Sequence, residues 1–188
     1  MGFFDCTADD DRPRWADCVV AVLIFLAALV VIAATITPAG AAPTLTLPGA
    51  ALSRYAPGTV VISQSERRLY LLLGEQALSY PVAVGRSGKQ WQGQVHIDGK
   101  YRNPAWAPPA EVKRAEPWLP NYIPGGSPRN PMGVRALTLS GDQYAIHGTN
   151  RPESIGKAAS FGCIRMSNSD ILDLYDRVSV GTPVVMTR

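Results

Sequence analysis

The stretch His147-Gly-Thr-Asn-Arg-Pro-Glu-Ser-Ile-Gly-Lys-Ala-Ala-Ser-Phe-Gly-Cys-Ile-Arg-Met-Ser-Asn168 holds one of the chain's two histidines and its only cysteine beyond the first 41 residues. His147 and Cys163 lie sixteen positions apart, separated by glycines and small residues. A thiol and an imidazole so placed suggest nucleophilic catalysis by cysteine. On the upstream side, Ala136-Leu-Thr-Leu-Ser140 and Tyr144-Ala-Ile-His147 read as strands joined by a Gly141-Asp142 turn. His147 therefore falls where a strand gives way to a loop. On the downstream side, Ser167-Asn-Ser-Asp170 resembles a capping box, and Ile171, Leu174, Tyr175 and Val178 follow at helical spacing. A short helix is expected just after the cysteine, where its N-terminus would favour negative charge on sulfur. Val184-Val-Met186 is expected to be the last strand.

Further upstream, Thr59-Val-Val-Ile-Ser63, Arg68-Leu-Tyr-Leu-Leu-Leu73 and Leu78-Ser-Tyr-Pro-Val-Ala-Val-Gly85 read as a strand meander with short turns. Pro81 suits an edge or the start of a strand. Val95-His-Ile97 reads as a short strand with His96 on the polar face. Residues 101–133 carry many prolines and aromatics. This excursion is too long for a simple connection and reads as a lid or cleft wall, or as a cover with Trp106 and Trp118 as packing anchors. The pattern predicts a mostly β domain.

The 188-residue chain can hold one domain plus a leader. Cys18–Ile36 is an uncharged apolar run of nineteen residues. At 1.5 Å per residue it would span roughly 28 Å, close to a bilayer core. Ala39-Gly40-Ala41 fits a small-residue cleavage site. Residues 1–41 thus read as a signal peptide or an N-terminal membrane anchor, 42–57 as a linker and 58–188 as the domain bearing the site. Arg12 and Arg14 before the run favour an orientation that leaves this domain outside the cytoplasm, in the periplasm or cell envelope. Without residues 1–41, which hold two arginines and five aspartates, the net charge rises from +3 to +6. A positive domain fits an anionic partner. No basic run interleaved with aromatics points to nucleic acid.

The exported part keeps one cysteine, so it forms no internal disulfide, and a free thiol in an oxidising compartment is either buried or used. The cysteine count alone leaves both readings open, since a free cysteine is commonly buried. A neighbouring imidazole can take the thiol proton, and the imidazolium can return it to a leaving amine. Amides around Gly162 and Cys163 are candidate oxyanion donors. Thr149 and Ser160 can brace the loop through hydrogen bonds to the backbone. One Cys and two His in no CxxC or HExxH pattern argue against a metal site, and no phosphate-binding glycine motif is present.

Ile146-His-Gly-Thr-Asn150 followed by Ser160-Phe-Gly-Cys-Ile-Arg-Met-Ser-Asn168 resembles the signature of the L,D-transpeptidase catalytic domain (YkuD) family: a His, a spacer of this length, then Ser/Thr-His-Gly-Cys. The likeness runs from about Thr59 to Val185. It includes Arg67-Arg-Leu-Tyr70, Gly85-Arg-Ser-Gly88, Pro104-Ala-Trp-Ala-Pro-Pro109 and Asn130-Pro-Met-Gly133. The resemblance implies a β-sandwich-like domain with the catalytic cysteine beside a short helix. It implies Cys163 as the acylated nucleophile, His147 as the base, Gly162 as the glycine before the nucleophile and the Gly148 carbonyl as the group orienting the imidazole. Arg165 is suggested to hold a substrate carboxylate, with a structural salt bridge as the alternative.

The implied reaction needs no cofactor. The enzyme attacks the amide after the third residue, usually meso-diaminopimelate, of a peptidoglycan tetrapeptide stem. It releases D-alanine and passes the acyl group to another stem or to an envelope protein. An L,D-carboxypeptidase with water as acceptor shares the same motif. The chain departs from the pattern at Phe161, where the family commonly has histidine, so this position supplies no proton chemistry. A non-catalytic wall-binding protein is the remaining reading.

Overall fold

The computed structural model describes residues 43–46, 49, 52–141 and 144–188. The chain divides into two units, Met1–Ala39 and Gly40–Arg188. The signal or anchor reading of residues 1–41 lies outside the described residues. Among the described residues, no helix is long and apolar enough to cross a membrane.

The second unit is mostly β. In chain order its strands are β1 (Thr44–Thr46), β2 (Val60–Ser63), β3 (Arg68–Leu72), β4 (Ala77–Pro81), β5 (Val84–Gly85) and β6 (Gly93–Arg102). Helix α1 (Ala110–Ala115) follows, then β7 (Arg135–Leu139), β8 (Ala145–His147), β9 (Ala158–Ser160) and β10 (Ile164–Arg165). Helix α2 (Asn168–Arg177) and β11 (Pro183–Thr187) complete the chain. The large sheet runs β1-β4-β3-β2-β11-β6-β7-β8-β10, and β5 pairs with β9 separately.

Strand β6 joins the two halves of the large sheet. Gly93–His96 pairs with β11, and Ile97–Arg102 pairs with β7 after a register shift between Ile97 and Gly99. Such a shift bends a strand and lets it serve two sheet faces. One core then draws on both halves: Val60, Ile62, Leu69 and Tyr80 from one, Ile97, Leu137, Ile146 and Ile164 from the other. Val60, Val61 and Ile62 of β2 are all fully buried, as expected for a strand covered on both faces.

Helix α2 closes the core. Ile171, Leu174 and Tyr175 face inward, and the Tyr80 hydroxyl donates to Asp173 Oδ2 at 2.6 Å. Ser167 Oγ caps the helix by accepting from the Asp170 amide at 3.1 Å. At the other end Lys100 Nζ donates to the Tyr175 and Val178 carbonyls, each at 2.6 Å, where a cation complements the helix dipole.

Several expectations change. Within the stretch read as a linker, Thr44–Thr46 pairs with β4, while Leu52 and Tyr55 pack on the outer face over Val61, Leu72 and Val185. The run 78–85 splits into β4 and β5. Pro81 ends β4 beyond the reach of β1, so its missing N–H costs no ladder bond. The strand around Val95–Ile97 is ten residues long. Its second half is held by pairing with β7 rather than by apolar alternation, which is why the pattern is hard to read. His96 is exposed. Trp118 is not a packing anchor: it is 76% exposed, whereas Trp106 is half-buried and bridged to Ile123.

Candidate active site

Strands β8 and β10 run parallel, with Ile164 beside Ile146 and Arg165 beside His147. Alternation sends the two isoleucines into the core and the His147–Arg165 pair to the opposite face. That face opens on a cavity of about 490 Å³. Cys163, His147, Arg165, Ser160, Phe161 and Tyr144 line it on the sheet side, and Trp106, Val112, Leu119 and Ile123 of the 101–133 excursion line it on the other. The excursion is therefore a cleft wall.

His147 is 4% exposed. Its Nδ1 lies 2.6 Å from the Gly148 carbonyl oxygen. A carbonyl only accepts, so Nδ1 carries the proton and Nε2 is left as the basic nitrogen. Burial pulls the imidazole pKa down to about 4. The Gly148 and Pro131 carbonyls pull it up and the Arg165 charge adds to the fall. Cys163 is half-buried, and desolvation raises its thiol pKa, against lowering by backbone hydrogen bonding to Ala145 and by the Arg165 charge. Both groups therefore rest uncharged. Among the described residues, Arg165 has no carboxylate within ion-pair distance, and desolvation lowers its own pKa. The salt-bridge alternative for Arg165 is thus not realised among those residues.

The loop before the cysteine is rigidly held. Ser160 Oγ donates to the Cys163 carbonyl at 2.6 Å and accepts from the Gly162 amide at 3.0 Å. Trp91 Nε1 donates to the Gly162 carbonyl at 3.2 Å. Trp91 also stacks on Tyr144 with centroids 5.4 Å apart. Gly162 has φ +123°, and a β-carbon there would strike the Tyr144 ring. Only glycine fits this place. The Gly162 N–H is thus occupied, while the Cys163 N–H makes no hydrogen bond among the described residues. Of the two amides proposed from sequence as oxyanion donors, the second is the one available.

The Phe161 ring lies under the Arg86 guanidinium, 3.8 Å from carbon to centroid, so it acts as a packing surface and pocket wall. The helix expected just after the cysteine begins at Asn168, with β10 between them. Its N-terminus is capped by Ser167 and is not aimed at the sulfur by sequence adjacency.

Sequence reasoning misses the amide clamps. Asn168 Oδ1 accepts from the Thr149 and Val134 amides at 3.2 and 3.3 Å, and Nδ2 donates to the Thr149 carbonyl at 3.0 Å. This pins the loop after His147 to α2. A β-carbon on Gly148 would meet Asn168 Oδ1. Asn130 is 1% exposed. Its Nδ2 donates to the Pro104 and Pro124 carbonyls at 2.8 and 3.1 Å, and its Oδ1 accepts from Met132 N at 2.9 Å. These bonds shape the excursion. The Asn130-Pro-Met-Gly133 and Met-Ser-Asn168 runs were the available signals. Lys89 and Glu111, both lining the cavity, form an ion pair.

The family model for the L,D-transpeptidase catalytic domain (YkuD) matches residues 57–186. The chain is 39% identical over 135 residues to the probable L,D-transpeptidase YbiS of Escherichia coli (strain K12), covering 66% of this chain and 43% of that protein. It is 35% identical over 150 residues to YkuD of Bacillus subtilis (strain 168), covering 79% of this chain and 77% of that protein. The chain thus spans less than half the length of YbiS. The fold is similar to that of L,D-transpeptidase 3 from Mycobacterium tuberculosis, with a TM-score of 0.56 at 15% identity, covering 69% of this chain and 60% of that one. It is also similar to the ertapenem-acylated catalytic domain of the E. faecium L,D-transpeptidase, with a TM-score of 0.52 at 18% identity, covering 69% and 95%. The match over residues 57–186, together with the arrangement of His147 and Cys163 on one cavity, places the chain in the L,D-transpeptidase catalytic domain (YkuD) family.

Proposed function

We propose that this chain is a cysteine-dependent L,D-transpeptidase of peptidoglycan, acting in the periplasm or cell envelope. The observation that carries the proposal is a thiol, an imidazole with a fixed tautomer and a guanidinium with no ion-pair partner among the described residues, all lining one cavity in a chain of this family. The Cys163 thiol gives its proton to His147 Nε2 as sulfur attacks the carbonyl carbon of the third stem residue, in its amide to D-alanine. The Cys163 amide faces the developing oxyanion. The carbon–nitrogen bond breaks, His147 returns the proton to the amine, and D-alanine leaves. An acceptor amine then attacks the thioester, its proton returns through His147, and the thiol is restored. Arg165 holds a carboxylate of the stem. The resting neutral pair means that bound substrate, rather than a preformed ion pair, favours the proton transfer.

Intact mass after incubation with a carbapenem tests this. The wild-type chain should gain one adduct and Cys163→Ala none; labelling retained in the variant would sink the assignment. Purified muropeptides then identify the acceptor. Cross-linked dimers indicate transfer to a stem, tripeptides alone indicate water and an L,D-carboxypeptidase. Attachment to an envelope protein is the third acceptor to assay.

A further inference from the structure

The excursion wall carries aromatic surface that neither the core nor the cavity uses. Within Glu116-Pro-Trp-Leu-Pro-Asn-Tyr-Ile123, the residues Glu116, Leu119 and Ile123 line the cavity. Trp118 and Tyr122, between them in sequence, are 76% and 61% exposed and line no part of it. The segment is held in shape. The Leu119 amide donates to the Glu116 carbonyl at 3.2 Å, and Lys113 Nζ donates to the Leu119 carbonyl. Ile123 bridges Trp106 in both directions, at 2.7 and 2.9 Å. Pro117 and Pro120 flank Trp118 and restrict the backbone further. Single exposed apolar residues are ordinary. Two large exposed rings on a braced segment whose Glu116, Leu119 and Ile123 line the cavity mark its rim as a contact surface.

We propose that Trp118 and Tyr122 form a platform for the sugar rings of the glycan strand that carries the stem peptide. This rests on the transpeptidase reading above. A cavity of about 490 Å³ can take a short peptide but not the polysaccharide to which it is joined, so the strand must pass over the rim. A pyranose ring has an apolar face of C–H groups and a polar edge of hydroxyls. A flat aromatic side chain covers the first at low entropic cost and leaves the second wet. Asn121, exposed and next to Tyr122 in sequence, offers an amide to the hydroxyls.

The test uses the full chain with Trp118→Ala, Tyr122→Ala, the double variant and Trp118→Tyr. Three probes are needed: glycan strands stripped of stems, free tetrapeptide stems and glycan-linked stems. The alanine variants should lose binding to stripped strands. Thioester formation with glycan-linked stems should fall about fivefold to tenfold. The rate with free stems should stay at the wild-type value, and Trp118→Tyr should restore strand binding. Equal losses on free and linked stems would overturn the proposal, as would unchanged strand binding. Association of the wild-type chain with phosphatidylglycerol vesicles in place of strands, lost on Trp118→Ala, would also overturn it by assigning the rings to a membrane. A wild-type chain that forms no thioester on free stems would instead defeat the transpeptidase reading, and binding to stripped strands would still report on the platform.

Discussion

Arg165 and His147 are register partners on adjacent parallel strands, and both side chains line the same cavity. A fixed positive charge therefore stands beside the His147 imidazole. It opposes protonation of the imidazole and favours the thiolate of Cys163. Replacing Arg165 by Gln should move the His147 pKa up from about 4 and raise that of the thiol further. An NMR titration of the imidazole carbons reads the first directly. The same variant should raise KM for the tetrapeptide about tenfold if the guanidinium holds a carboxylate.

The buried imidazole also links stability to pH. Its folded pKa is depressed to about 4 from the ordinary 6.5. Above pH 6.5 the ring is neutral in both folded and unfolded chains, so its contribution is fully present. As pH falls from 6.5 through 4, the unfolded chain takes up a proton that the folded chain refuses, and stability is lost. The loss should approach about 3 kcal/mol. Urea midpoints at pH 7 and pH 4.5, compared between wild type and His147→Gln, isolate this part. An identical pH dependence in the two proteins would show that His147 does not contribute it.

Gly162→Ala should impair both folding and acylation. The left-handed backbone there and the Tyr144 ring where a β-carbon would sit each oppose a side chain, and a cost of about 1–3 kcal/mol is expected. Combining it with Tyr144→Ala removes the clash but not the backbone strain. The double variant should therefore recover part of the thermal stability lost by Gly162→Ala relative to Tyr144→Ala alone. Full recovery would mean that φ imposes nothing.

Asn168→Ala deletes three hydrogen bonds that tie Thr149 and Val134 to the first turn of α2. A loss of about 1–3 kcal/mol follows from leaving these amides unpaired. Because the clamp lies two residues from His147, carbapenem acylation should slow even at temperatures where the variant stays folded. Stopped-flow acylation alongside a melting curve separates the two effects.

Much of this architecture was legible in the sequence because it rests on local patterns. The short β-branched and apolar runs of β2 and of the strand ending at His147, and the helical spacing of Ile171, Leu174 and Tyr175, are signals carried by neighbouring residues alone. The thiol and imidazole stood out because so few of either exist in the chain. What stayed hidden depends on distant partners. Strand β1 exists only because β4 offers it an edge, and β6 runs to Arg102 only because β7 lies alongside. The engagement of the Gly162 amide by Ser160 Oγ and the clamps of Asn130 and Asn168 are choices among many possible hydrogen bonds. Trp118 is exposed despite its size because ring size implies burial only when a core is within reach.

The contrast between exposed His96 on β6 and buried His147 on β8 gives the molecule two spectroscopic reporters in different surroundings. With two histidines in the whole chain, an imidazole spectrum holds one signal from solvent and one from the site. Ligand entry and release can thus be followed on the second signal while the first serves as an internal reference in the same tube, with no label and no assignment mutants.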